Sequence, residues 1–157
     1  MKVVVSDTSA VSNLLSIGRI EVLRQVFGSV LIPPAVASEL AVTHDQLPSF
    51  IELHAIDSSI QIAGFEELDP GEIEAIQLAI EIDADALIID DKAGRIAATS
   101  KGINCLGVLG VLVAAKELGY IDAVAPILIE LEANRFYISE TVRRRVLNLV
   151  DEIEPSE

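Results

Sequence analysis

DALIIDDKAGR, residues 85–95, decides the fold. Ala86 to Ile89 form a short apolar run bounded by acids on both sides, the pattern of a strand buried on both faces. From Lys92 to Lys101 the pattern turns helical. Strand and helix meet at two adjacent carboxylates, Asp90 and Asp91, whose mutual repulsion at the mouth of a buried strand is poorly screened. An Asp at a helix start is ordinarily an N-cap. A cap needs one carboxylate, so the second requires another reason.

The same alternation extends in both directions. Val3–Val5 predict a first strand, and DTSAVSNLLSIG (7–18) a helix that Gly18 ends. Arg19–Phe27 give a second short helix closed by Gly28. VLI (30–32) is another apolar strand, after which PPAVASEL (33–40) uses two prolines to stop the strand and open a helix. Residues 43–67 are less regular, with IELHAI (51–56) and IQIA (60–63) as weak edge strands or short helical pieces. DPGEIEAIQLAIEI (69–82) is a helix with a strong start signal. A short strand over 103–106 and helices over 108–118, 122–134 and 140–153 complete the chain. Apolar strands alternating with helices predict a three-layer α/β/α sandwich around a parallel sheet. With no internal repeat or linker, one domain is expected over 1–157.

Composition narrows the function. The chain has 157 residues, 51% of them hydrophobic, enough for one domain with a proper core. No run approaches the roughly 20 apolar residues of a membrane span, and Met1 leads straight into a strand rather than a signal sequence. A cytoplasmic protein with no membrane partner is expected. Cys105 is the single cysteine, which excludes an internal disulfide and a cysteine-rich zinc site and reads as an ordinary buried residue. Against 25 acids stand 11 bases, a net charge of −14. Generic nucleic-acid binders carry a basic face, so any phosphate-directed activity here needs bound cations, a local basic patch or a basic partner.

Ligands of open parallel sheets gather at the carboxyl ends of the strands. Asp7 lies at the first such exit, Asp90 and Asp91 at another, and Glu39 on the helix leaving strand 30–32. Each has an ordinary explanation as a cap or a solvated residue, but those explanations predict no common location. Helix 69–82 adds Glu72. Asp69, Pro70, Gly71 and Glu72 occupy the N-cap, N1, N2 and N3 positions of a capping box. Around the helix, Glu74, Gln77 and Glu81 fall within a sector of about 60° that reads as the solvated face, whereas Glu72 points toward the packed side. A carboxylate on that side needs a partner, and a cation would serve.

Only His44 and His54 are present, both in the irregular middle region, so a Ser-His-Asp triad has little support. A haloacid-dehalogenase-type phosphatase needs an Asp where Ser9 stands. A response-regulator receiver needs a lysine where Gly107 follows strand 103–106. No glycine-rich phosphate loop follows the first strand. Clustered hard oxygen ligands favour Mg²⁺ or Mn²⁺, ions that bind phosphates and activate water. Phosphodiester hydrolysis is the expected reaction.

The ordered set VVVSDTSAVSNLL, VLIPPAVASEL, LDPGEIEAIQLAIEI, ALIIDDKAGRIAATSKGINCLGVLGVLVAAKELGYI and LEANRFYIS resembles the PIN-domain family in its compact prokaryotic branch. The resemblance implies a parallel sheet between helices and a metal-dependent ribonuclease site, and picks out Asp7, Glu39, Glu72 (or Glu74, where the family often has Asp) and one or both of Asp90 and Asp91. Thr8 and Ser9 beside the first carboxylate, and Lys92 and Arg95 beside the acidic pair, are candidates for contacting RNA; Arg135 adds local positive charge. The run RRR (143–145) reads as solvent-displayed. Many relatives are the toxin of a toxin–antitoxin pair, so an antitoxin protein and a homodimer, joined through helices 108–118 and 122–134, are the expected partners. The alternative, which the charge of −14 favours, is a PIN-like nucleic-acid-binding or regulatory module weak or inactive in catalysis.

Overall fold

Three-residue apolar runs suffice as strands because each is buried by layers on both sides. The computed structural model describes residues 2–57 and 67–152. Within them the strands are β1 (Val4–Ser6), β2 (Val30–Ile32), β3 (Ile51–Leu53), β4 (Ala86–Ile88) and β5 (Cys105–Leu106). They form one parallel sheet in the order β3-β2-β1-β4-β5. Alternating side chains serve opposite faces: Val4, Val30, Ile32 and Ile88 enter one core, Val5, Leu87 and Ile89 the other.

The larger core is closed by α1 (Thr8–Ser16), α2 (Glu21–Phe27), α3 (Pro34–Thr43), α6 (Val108–Glu117), α7 (Ala125–Ala133) and α8 (Glu140–Leu149). The smaller is closed by α4 (Pro70–Glu81) and α5 (Lys92–Ser100). These are the three layers expected. Boundaries differ from the sequence expectation by a few residues, chiefly where α7 begins at Ala125 and α8 ends at Leu149. In the irregular segment IELHAI supplies β3 with its first three residues, while IQIA lies outside the described residues. Cys105 is half-buried rather than fully buried, because β5 is an edge strand. Among the described residues no helix is long and apolar enough to cross a membrane.

Strand order reverses at β1. Its chain successor β2 lies on one side and β4 on the other, with Val5 opposite Leu87 and Ser6 opposite Ile88. The crevice beyond the ends of β1 and β4 is therefore the place where a doubly wound sheet receives a ligand. Asp7 and Asp90 stand there.

Candidate active site

A cavity of about 590 Å³ opens at this reversal, lined by Asp7, Glu39, Asp69, Glu72, Asp90 and Asp91 together with Thr8, Ser9, Ser12 and Asn13. Every carboxylate nominated from the sequence thus reaches one space, and no basic side chain lines it. What gathers them is the positive ends of helices. Asp7 Oδ1 accepts from Ala10 N at 3.1 Å and caps α1. Asp91 Oδ2 accepts from Gly94 N at 2.8 Å and caps α5. The Asp90 oxygens accept from Val108 N, the first residue of α6, at 3.2 and 3.3 Å. Glu39 Oε1 accepts from Gly71 N in the first turn of α4 at 3.3 Å.

Two glycines make this approach possible. A Cβ at Gly107 would lie 2.5 Å from Asp90 Oδ1, and one at Gly71 would overlap the Glu39 carboxylate and sit 2.9 Å from Thr8 Oγ1. The hydroxyls of Thr8 and Ser9, nominated for substrate, are used on the carboxylates: Thr8 donates to Glu39, and Ser9 donates to Asp7 at 3.2 Å. Lys92 is exposed at the first position of α5, and the Arg95 guanidinium beside Asp90 opposes the rise in that carboxyl's pKa.

The capping box of α4 is complete: Glu72 N donates to Asp69 Oδ1 at 2.8 Å and Asp69 N to Glu72 Oε1 at 3.1 Å. Glu72 nevertheless lines the cavity, close enough to Asp91 for the two carboxylates to repel. The wet face assigned to Glu74, Gln77 and Glu81 holds for Glu81, which is exposed, whereas Glu74 and Gln77 are half-buried. Glu74 Oε1 accepts from Ala35 N at the start of α3 at 2.8 Å, and Glu81 Oε2 accepts from Asp57 N at 2.8 Å. Both are tied to backbone N–H groups of neighbouring segments, a use of charge that a helical projection of α4 alone does not show. Sequence reasoning also missed Ser12, Asn13 and Asp69 as lining residues. Ser12 and Asn13 follow Ser9 at helical spacings of three and four, so the polar face of α1 was the available signal. The solvent-displayed reading of 143–145 holds for Arg144 and Arg145, both exposed, and not for Arg143, which is half-buried and pairs with Glu132; Arg145 also lines a separate groove.

Burial sets the electrostatics. Asp7 is 2% exposed, and desolvation, with repulsion from Asp90 and Glu72, pushes its pKa up to about 7 despite the hydrogen bonds from Ala10 and Ser9. Glu72 also rises to about 7, from desolvation first and then repulsion by Asp69 and Asp91. Asp90 rises through desolvation, opposed by the Val108 hydrogen bond and Arg95. An all-oxygen donor set, with Asp7 buried at its base and no basic side chain lining the cavity, suits a hard divalent ion. As the side chains lie, no three acidic, His or Cys groups among the described residues converge on one point, since each carboxylate holds a helix-end N–H. The fit rests on charge and donor chemistry.

A family model described as a PIN domain matches residues 3–152. The chain belongs to the PIN-domain family. PIN domains are generally nucleases and typically use divalent metals. In fold, this PIN domain is similar to a PilT N-terminus domain protein from the hyperthermophilic archaeon Sulfolobus solfataricus P2, with a TM-score of 0.55 and 22% identity over 71% of this chain and 92% of that one. No curated protein matches it significantly.

Proposed function

We propose that this PIN domain is a divalent-metal-dependent ribonuclease that hydrolyses RNA phosphodiester bonds. One observation carries the reading: carboxylates from separate strand exits line one cavity at the reversal of the sheet, where desolvation and mutual repulsion make the charge of Asp7 and Glu72 unfavourable. Asp7, Glu39, Glu72, Asp90 and Asp91 would hold Mg²⁺ or Mn²⁺, which supplies Lewis-acid activation of water and neutralisation of phosphate charge. The protein's own part is positioning. Thr8 and Ser9 orient Glu39 and Asp7, the Asp69 capping box fixes Glu72, and the start of α6 fixes Asp90.

A PIN-like module without catalysis is the competing reading, favoured by the net charge of −14 and by carboxylates that do not converge as they lie. Purified protein incubated with single-stranded RNA, in Mn²⁺ and in EDTA, separates the two. Cleavage only with Mn²⁺ is expected; equal cleavage in both removes the metal, and none on any RNA favours the module. An antitoxin belongs to the same proposal, and an adjacent reading frame encoding a small DNA-binding protein would support it. Self-association does too. The apolar faces of α6 and α7 are mostly spent on the core, which leaves Leu118, Tyr120 and Ile129 exposed as the apolar surface for a second copy.

A further inference from the structure

Beside the carboxylate cavity, and sharing Asp90 with it, lies a groove of about 430 Å³ whose chemistry is the opposite. Its walls carry Arg95 from α5, Arg145 from α8, and Phe136 and Tyr137 from the segment joining α7 to α8. Two cations meet here in a chain with 25 acids against 11 bases. Arg19, Arg24, Lys116, Arg143 and Arg144 each hold a carboxylate elsewhere. Arg145 makes no ion pair among the described residues, and Arg95 lies beside Asp90 on the groove's shared wall. The aromatics differ in the same purposeful way: Phe136 packs its ring against the core, whereas Tyr137 is 87% exposed.

We propose that this groove takes the unpaired nucleotide next to the scissile phosphate, its base against Tyr137 and Phe136 and its phosphate on Arg95 and Arg145. The inference rests on the nuclease reading of the adjoining cavity and names the residues that hold the strand beside it. Aromatic walls with guanidinium groups are how single strands are held, since every base has a face to stack and each phosphate a charge to neutralise. In a duplex those faces are already stacked. An acidic peptide would satisfy the two arginines but has no flat π-face to place against Tyr137. The groove also meets the objection raised by the acidity of the chain: local cations lie beside the carboxylates.

Fluorescence anisotropy with a labelled, hydrolysis-resistant 2′-O-methyl phosphorothioate decamer in Mg²⁺ tests this on the full chain. Loss of one stacked base weakens binding roughly 5- to 150-fold, so Tyr137→Ala should bind about tenfold more weakly while Tyr137→Phe stays within about twofold. Arg145→Ala should weaken binding similarly and lower the salt slope by about one. Arg144→Ala, the same charge change one residue away but off the groove, should stay within about twofold. Thermal melts check folding, which Tyr137 at 87% exposure barely supports. Unchanged binding in Tyr137→Ala and Arg145→Ala overturns the groove, as does equal weakening by Arg144→Ala or a wild type that binds an acidic peptide but no oligonucleotide. If the wild type cleaves RNA and the variants bind normally, the groove fails and the nuclease reading stands. If binding changes as expected and no RNA is cleaved, the groove stands and the nuclease reading fails.

Discussion

Replacing Asp7 by Asn should make the metal-free protein more stable, though it removes a residue at the centre of the site. Asn keeps the acceptor for Ala10 N, and its amide can donate to Ser9 Oγ, so the cap of α1 survives. What disappears is the cost of a buried charge. The folded-state pKa of Asp7 is raised from 3.8 to about 7. For an acid displaced in that direction there is no penalty below the unfolded value; stability is lost as pH rises through the folded one. The interval corresponds to roughly 4 kcal/mol as an upper bound. At about 2–4 °C per kcal/mol for a domain of this size, Asp7→Asn should melt up to roughly 16 °C higher than wild type in EDTA at pH 8, with the gap closing toward pH 4. Mn²⁺ should raise the wild-type midpoint and leave the variant nearly unmoved. Differential scanning calorimetry across pH 4–8 decides it. A variant less stable than wild type at pH 8 in EDTA, or a gap independent of pH, would refute the assignment of Asp7 as a destabilised buried carboxyl.

Glu72→Gln keeps the hydrogen bond from Asp69 N and loses only charge, so Mn²⁺-dependent cleavage should fall on the order of 10²-fold with the fold intact; Glu74→Gln, still able to accept from Ala35 N, should stay within a few-fold. Glu74→Ala strands that N–H at the start of α3 and should cost about 1 kcal/mol in urea unfolding, with the cleavage rate little changed. Gly71→Ala places a methyl group on the Glu39 carboxylate; because the flexible side chain yields, thermal stability should change little while cleavage drops at least about tenfold. A Gly71→Ala enzyme of normal rate would remove Glu39 from the site.

The sheet was legible because apolar runs such as VLI and ALII end abruptly in proline or acid, and strands buried on both faces have no alternation to confuse. The cavity was legible for a topological reason. Parallel strands bring all their exits to one edge, so Asp7, Glu39 and Asp90 had to be neighbours once the sheet was granted. The role of Glu74 was hidden because its partner, Ala35 N, belongs to a helix that a projection of α4 never sees. The requirement for Gly71 and Gly107 was hidden too, since neither has an unusual backbone angle and each is needed only for what approaches it. Phe136, Tyr137 and Arg145 meet Arg95 across more than 40 residues of chain. No local pattern announces such a groove.

Capping and chemistry had looked like rival explanations for each carboxylate, and the geometry makes them one. Asp7, Asp69 and Asp91 are N-caps, Asp90 serves the first residue of α6, and all four line the cavity. Helix N-termini reach the same edge as the strand exits because each crossover helix starts where its strand stops. Those positive ends partly offset the repulsion within the acid cluster. They do not offset it fully, as the upward displacement of Asp7, Glu72 and Asp90 records. The residue left over is an attraction for a cation at a site whose side chains are already held, so ion binding draws on charge that folding has concentrated. Neutralising any one cap with its amide should therefore loosen the metal far more than it loosens the helix.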